Sequence, residues 1–105
     1  RALDNSAKRP EMHAIPLFRA ALSPDVRLLA AGAIWTREGA DQVLAKGADA
    51  VVLGRSAIIN ADWPLKAVDP SWSPRRPPVT IADLVDNGLS PVFAEYMRRF
   101  PNFVV

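Results

Sequence analysis

No cysteine occurs in the chain, which excludes disulfides and thiolate metal sites at the outset. No apolar run approaches the roughly 20 residues that span a bilayer, so no membrane role is expected. Charge of one sign is also lacking. The formal net charge is only +2, and the basic residues are scattered apart from the short pairs Lys8-Arg9, Arg75-Arg76 and Arg98-Arg99. That pattern leaves no electrostatic footprint for nucleic acid. No signal-peptide pattern opens the sequence, so a cytoplasmic setting is the expectation. What is present is ordinary for a folded domain: half the residues are hydrophobic and 23% are charged, a balance that argues against disorder.

Residues 1–10 carry no periodic signal and read as loop. From Met12 to Leu22 the apolar positions Ile15, Phe18, Ala21 and Leu22 share one helical face, with Pro16 acceptable only in the first turn. Ser23-Pro24-Asp25 stops that helix. Val26 to Ala31 then reads as a short strand, apolar enough to be covered on both faces, as in parallel sheets. Thr36 suits an N-cap, Glu38 suits the positive end of the helix dipole, and Ala40, Val43, Leu44 and Gly47 recur at helical spacing. Gly47 suits the C-terminal turn of that helix, and Asp49 to Leu53 is a second buried strand. Strand, helix and strand within about thirty residues predict a βαβ unit.

Beyond it, Ser56 to Val68 reads as a short helix interrupted near Ala61-Asp62. Residues 69–78 carry four prolines and predict an extended connection. Thr80 and Asp83 have the spacing of a capping box, and Ser90-Pro91 opens a last helix before Pro101. Val92, Phe93, Tyr96, Met97 and Phe100 form an apolar stripe expected to pack on the core.

Both strands end in glycine. "RLLAAGAIWT" runs into Gly32, and "ADAVVLGRSAIINADWP" runs into Gly54-Arg55. In parallel α/β folds ligands sit at the carboxyl ends of the strands. A glycine there lets a ligand reach the backbone, and free N–H groups in such a turn suit an anion. Arg55 adds a permanent charge and a planar fork that matches phosphate. Two such ends on consecutive strands match the phosphate site built after strands 7 and 8 of (β/α)8 barrels, where a short extra helix, here "SAIIN", contributes.

The stretch "LLAAGAIWTREGADQVLAKGADAVVLGRSAIINADWP" resembles the carboxyl-terminal end of the old yellow enzyme family of flavin oxidoreductases. The likeness rests on Gly-Ala-Asp, Gly-Arg and Asp-Trp-Pro, and extends more loosely through "PPVTIADLVDNGLSPVFAEYMRRFPNFV". It implies an α/β chain made of the last two βα units of a (β/α)8 TIM barrel plus a C-terminal helical tail. Residues 1–68 would form the terminal βα units and residues 69–105 the proline-rich connection and C-terminal helices. Backbone groups of Gly32 and Ala33, with Gly54 and Arg55, would hold the FMN phosphate. NAD(P)H would be the reductant, and an electron-poor alkene such as an α,β-unsaturated carbonyl the small-molecule substrate. Ala33 replaces a second glycine of the family pattern, and Ala61 replaces a proline.

The family's substrate-binding histidine pair and tyrosine proton donor lie on earlier strands and have no counterpart here. His13 matches no family motif, and Tyr96 belongs to the packing stripe, so no catalytic residue is expected in this chain. A complete barrel takes about 250 residues, and the chain has 105. It is therefore expected to be part of a larger enzyme, with self-association through open strand edges as one way to order it. Two alternatives share these features. One is the phosphate-binding part of another barrel enzyme, such as an IMP dehydrogenase-like protein, and the other is a non-catalytic α/β interaction fragment.

Overall fold

His13 starts the first helix, α1 (Ala14–Ala21), by accepting the Ile15 N–H on its imidazole Nδ1 at 3.2 Å. Pro16 falls inside the first turn, where a missing N–H breaks no helical bond. The helix ends at Leu22, and the Val26 N–H closes a turn on the Ser23 carbonyl at 3.0 Å. Strand β1 (Leu29–Ala31) is therefore shorter than the expected Val26–Ala31. The reason is Arg19, whose guanidinium donates to the carbonyls of Ser23 and Val26 at 2.8 and 3.0 Å and holds that stretch in the turn.

Helix α2 (Arg37–Ala45) begins at Thr36, whose hydroxyl accepts the Gly39 N–H at 3.0 Å, with Glu38 in the first turn. It buries Ala40 and Val43. Its exit runs through Lys46 into Gly47, where a φ of +119° reverses the chain. Strand β2 (Ala50–Val52) then pairs parallel with β1, in the register Leu29 with Ala50, Ala30 with Val51 and Ala31 with Val52. The expected βαβ unit is present.

The sheet is not covered on both faces. Leu29 is 60% exposed and Val52 43% exposed, and the register puts these two residues on one face. An apolar run states which surface favours burial, but two strands and their helices supply cover for only one side of it.

The computed structural model describes Arg1–Val105 in two compact units, Arg1–Gly54 and Arg55–Val105. In the first, Ala2, Ile15, Ile34, Ala40, Val43 and Ala48 form the core. Asp49 ties its turns together: the carboxylate accepts the Leu28 N–H at 2.8 Å and pairs with Arg19 at 3.1 Å and Arg27 at 3.6 Å.

The second unit starts with α3 (Arg55–Ile59), breaks at residues 60–62, and resumes in α4 (Trp63–Lys66). The break is stabilised by two asparagines. Asn60 is buried; it donates to the carbonyls of Ser56 and Arg75 at 2.9 and 3.0 Å and accepts the Arg75 N–H at 2.9 Å. Asn87 donates to the carbonyls of Ile58 and Ile59 at 3.0 and 2.6 Å, satisfying the end of α3. The proline-rich connection opens in a turn, with the Trp72 N–H on the Asp69 carbonyl at 3.1 Å, rather than running extended from residue 69; Trp72 meets Trp63 edge-on at 6.4 Å.

Helix α5 (Ile81–Asp86) carries a complete capping box, with Thr80 and Asp83 each bonded to the other's backbone N–H at 3.0 Å. Asp serves at the position that usually favours Glu. Helix α6 (Pro91–Tyr96) starts at Ser90 and tightens into a 3-10 turn at Met97–Arg99. Val79 and Val104 form an isolated parallel bridge that brings Phe103 into the core beside Leu84, Ala94 and Met97.

The apolar stripe of the last helix behaves differently from the expectation. Only Met97 is buried; Val92 is 82% exposed, and Phe93, Tyr96 and Phe100 are 40–45% exposed. Small Ala94 faces the core with Met97, so the aromatic side points outward. Helical periodicity locates an apolar face, yet here the buried seam is set by the residue that allows closest approach.

Candidate functional site

β1 and β2 end side by side and in register, so Gly32 is level with Leu53 and Gly54 stands one residue beyond. That places three of the expected residues, Gly32, Ala33 and Gly54, at adjacent carboxyl ends of parallel strands. Arg55 follows Gly54 through one peptide bond and is the first residue of α3, in the second unit.

The two glycines serve different purposes. Gly32 has a φ of +112°, and a Cβ there would lie 2.9 Å from the Cα of Arg1 and 3.3 Å from the nitrogen of Ala2. The Ala2 N–H donates to the Gly32 carbonyl at 3.1 Å. Gly32 is thus required by the amino-terminal segment packed against it. Gly54 is not required in that way. Its φ lies outside the left-handed region, and a Cβ would meet nothing within 4 Å. The fold does not explain the glycine, and open space surrounds it.

Ala33 also has a left-handed backbone, at φ +56°. An alanine there costs roughly 1 kcal/mol, and such conformations gather at functional positions. Two successive residues with positive φ turn the chain sharply after β1. Outside the strand ladder, the N–H groups of Ala33 and Gly54 have no backbone acceptor in the chain. Arg55 is exposed, and its guanidinium makes neither an ion pair nor a hydrogen bond in the chain. Within the first unit, the Ala33 and Gly54 N–H groups at the strand ends are donors of the kind that suit an anion.

Two concave features lie elsewhere. In the first unit a largely apolar cleft of about 400 Å³ runs along β1 and is lined by Ile15, Phe18, Leu28, Leu29 and Ala31 among others. In the second, a polar hollow of about 230 Å³ lies among Ile59, Arg75, Asp83, Asp86 and Asn87. Arg75 and Asp83 are paired there at 2.7 Å. The Thr80 N–H and hydroxyl, and then Arg75, hold the Asp83 carboxyl below the usual carboxylate range. Asp49 is lowered in the same way, chiefly by the Leu28 N–H and then by Arg19 and Arg27. Both carboxylates are engaged in local structure.

His13 is engaged too, as the cap of α1, with its Nε2 buried and unpartnered. Tyr96 lies between Phe93 and Phe100 with Arg99 over its ring at 5.1 Å. The sequence reading missed Asn60 and Asn87, the polar residues that build the turn after α3. The only sequence signal for them is asparagine beside a helix end, which many loops share. No helix is long and apolar enough to cross a membrane. Comparison with protein-family models, with curated proteins and with solved structures finds no match.

Proposed function

We propose that this chain is the FMN-phosphate-binding portion of an FMN-dependent NAD(P)H oxidoreductase of the old yellow enzyme type. The observation that carries the reading is Gly54: a glycine that neither backbone conformation nor packing requires, at the end of a parallel strand, followed by an unpaired arginine. A ligand that approaches the backbone accounts for it. In the proposed site backbone groups of Gly32 and Ala33, with Gly54 and Arg55, hold the phosphate, and Arg55 offsets part of its charge. The chemistry that FMN supplies when bound is two-electron hydride transfer from NAD(P)H to an electron-poor alkene. The residues of this chain bind and orient; none is assigned a proton-transfer role.

The test is a fluorescence titration of the 105-residue chain with FMN, with riboflavin as the phosphate-free control. Saturable binding of FMN and not of riboflavin is expected. Arg55→Ala should weaken it about ten- to a hundredfold, the effect of one lost charge-assisted hydrogen bond of about 1.5–3 kcal/mol. Equal affinity of the wild type and Arg55→Ala for FMN would sink the proposal. Inosine monophosphate in place of FMN separates the flavin reading from that of another phosphate-binding barrel.

A further inference from the structure

The second unit exposes an aromatic surface on the outer side of α6 and the turn that follows. Val92 is 82% exposed, and the rings of Phe93, Tyr96 and Phe100 are more than a third exposed. These rings are already ordered before any partner arrives. Phe93 stacks on Tyr96 at 5.6 Å and 24°, Tyr96 meets Phe100 edge-on at 6.2 Å, and Phe100 meets the buried Phe103 at 6.4 Å. A partner that covers them need not freeze mobile side chains, which removes a large part of the usual cost of association. Rigid aromatic clusters with arginine alongside are the residue types that dominate protein interfaces.

The charges on the same element say which partner fits. Glu95 lies toward the amino end, and Arg98 and Arg99 toward the carboxyl end. Glu95 and Arg98 pair at 2.7 Å within the helix, and Arg99 covers Tyr96. With one acid and two bases, the face has too little charge of either sign to select a nucleic acid or an acidic membrane. Its order is nevertheless self-complementary. Turned about a two-fold axis, the acid of one copy meets the bases of the other, while a parallel arrangement sets like against like. Antiparallel pairing also opposes the two helix dipoles.

We propose that the outer face of α6 pairs with the same face of a second copy of this chain, antiparallel about a two-fold axis beside Tyr96. Phe93 of each copy then packs near Phe100 of the other, and Glu95 of each faces Arg98 and Arg99 of the other. This surface is separate from the glycine strand ends and does not depend on the flavin reading. It is also distinct from the strand edges around Leu29.

Sedimentation velocity of the full chain over a range of concentrations tests it. A reversible dimer is expected. Glu95→Arg should weaken it by at least about tenfold, as should the double variant Arg98→Glu/Arg99→Glu. Mixing these two variants should restore dimerisation as a heterodimer, a recovery that misfolded variants could not show. Leu29→Lys, at the strand edge, should leave the dimer intact. A wild type that stays monomeric at every concentration overturns the proposal, as does a dimer indifferent to Glu95→Arg. Failure of the mixture to recover, or loss of the dimer in Leu29→Lys, overturns it as well.

Discussion

At the scale of single residues, the two strand-end glycines make a matched experiment. Gly32 is held by a left-handed backbone and by Arg1 at the place its Cβ would occupy, whereas Gly54 is free on both counts. Gly32→Ala should therefore destabilise the chain by about 1–3 kcal/mol, read from the urea midpoint. Gly54→Ala should leave that midpoint nearly unchanged and act on FMN binding alone. If Gly54→Ala destabilises as much as Gly32→Ala, the glycine serves the fold and its functional reading fails. Both glycines are legible in the sequence, because each ends an apolar run. Their difference is not legible, since it depends on Arg1 and Ala2 returning to the strand end from thirty residues away. Nor does the sequence mark Ala33 as left-handed, because alanine has no preference for that region.

At the scale of elements, the polar side chains that join segments matter as much as the segments. Asn60 fastens the proline-rich connection to α3 by bonding both the N–H and the carbonyl of Arg75. Asn60→Ala should cost about 1–3 kcal/mol, since it leaves those backbone groups without a partner in a partly buried place. A urea midpoint equal to that of the wild type would show that water replaces the asparagine at no cost. The helices themselves were well marked: Thr36, Thr80 and Ser90 each cap the helix their position suggests. These signals are local, a side chain bonding an N–H three residues on. The asparagine bridges span 15 to 29 residues and have no such signature. The outward aromatic side of α6 was hidden for a related reason. Counting apolar positions weighs Phe93 above Ala94, while close packing favours the smaller residue.

At the scale of the whole molecule, acid should be the sensitive direction. Asp4, Asp49, Asp69 and Asp83 are all held below the usual carboxylate range, by Arg1, by the Leu28 N–H, by Ser71 and by Thr80 respectively. A folded-state pKa below the unfolded one adds stability above the carboxylate range and loses it as the pH falls through that range. The urea midpoint should therefore be flat near neutrality and drop on acidification, with a shallower drop in Asp49→Asn. An acid limb unchanged by that substitution would mean that Asp49 contributes nothing to it. The βαβ unit, the most legible part of the fold, and the strand-end residues both lie where short-range patterns accumulate. The division into two compact units at Gly54 has no such pattern, because Gly-Arg reads equally as a turn inside one unit.

The edge-to-face meeting of Trp63 and Trp72 gives the second unit an optical signature of its own. Two indoles at 6.4 Å and 84° are close enough and differently enough oriented for their transitions to couple. The circular dichroism of the chain should then carry an exciton couplet, which vanishes when the proline-rich connection lifts away from α4. Trp35 lies in the first unit and contributes its own fluorescence. A pair of spectra thus distinguishes loosening of that connection from events at the glycine strand ends without any label.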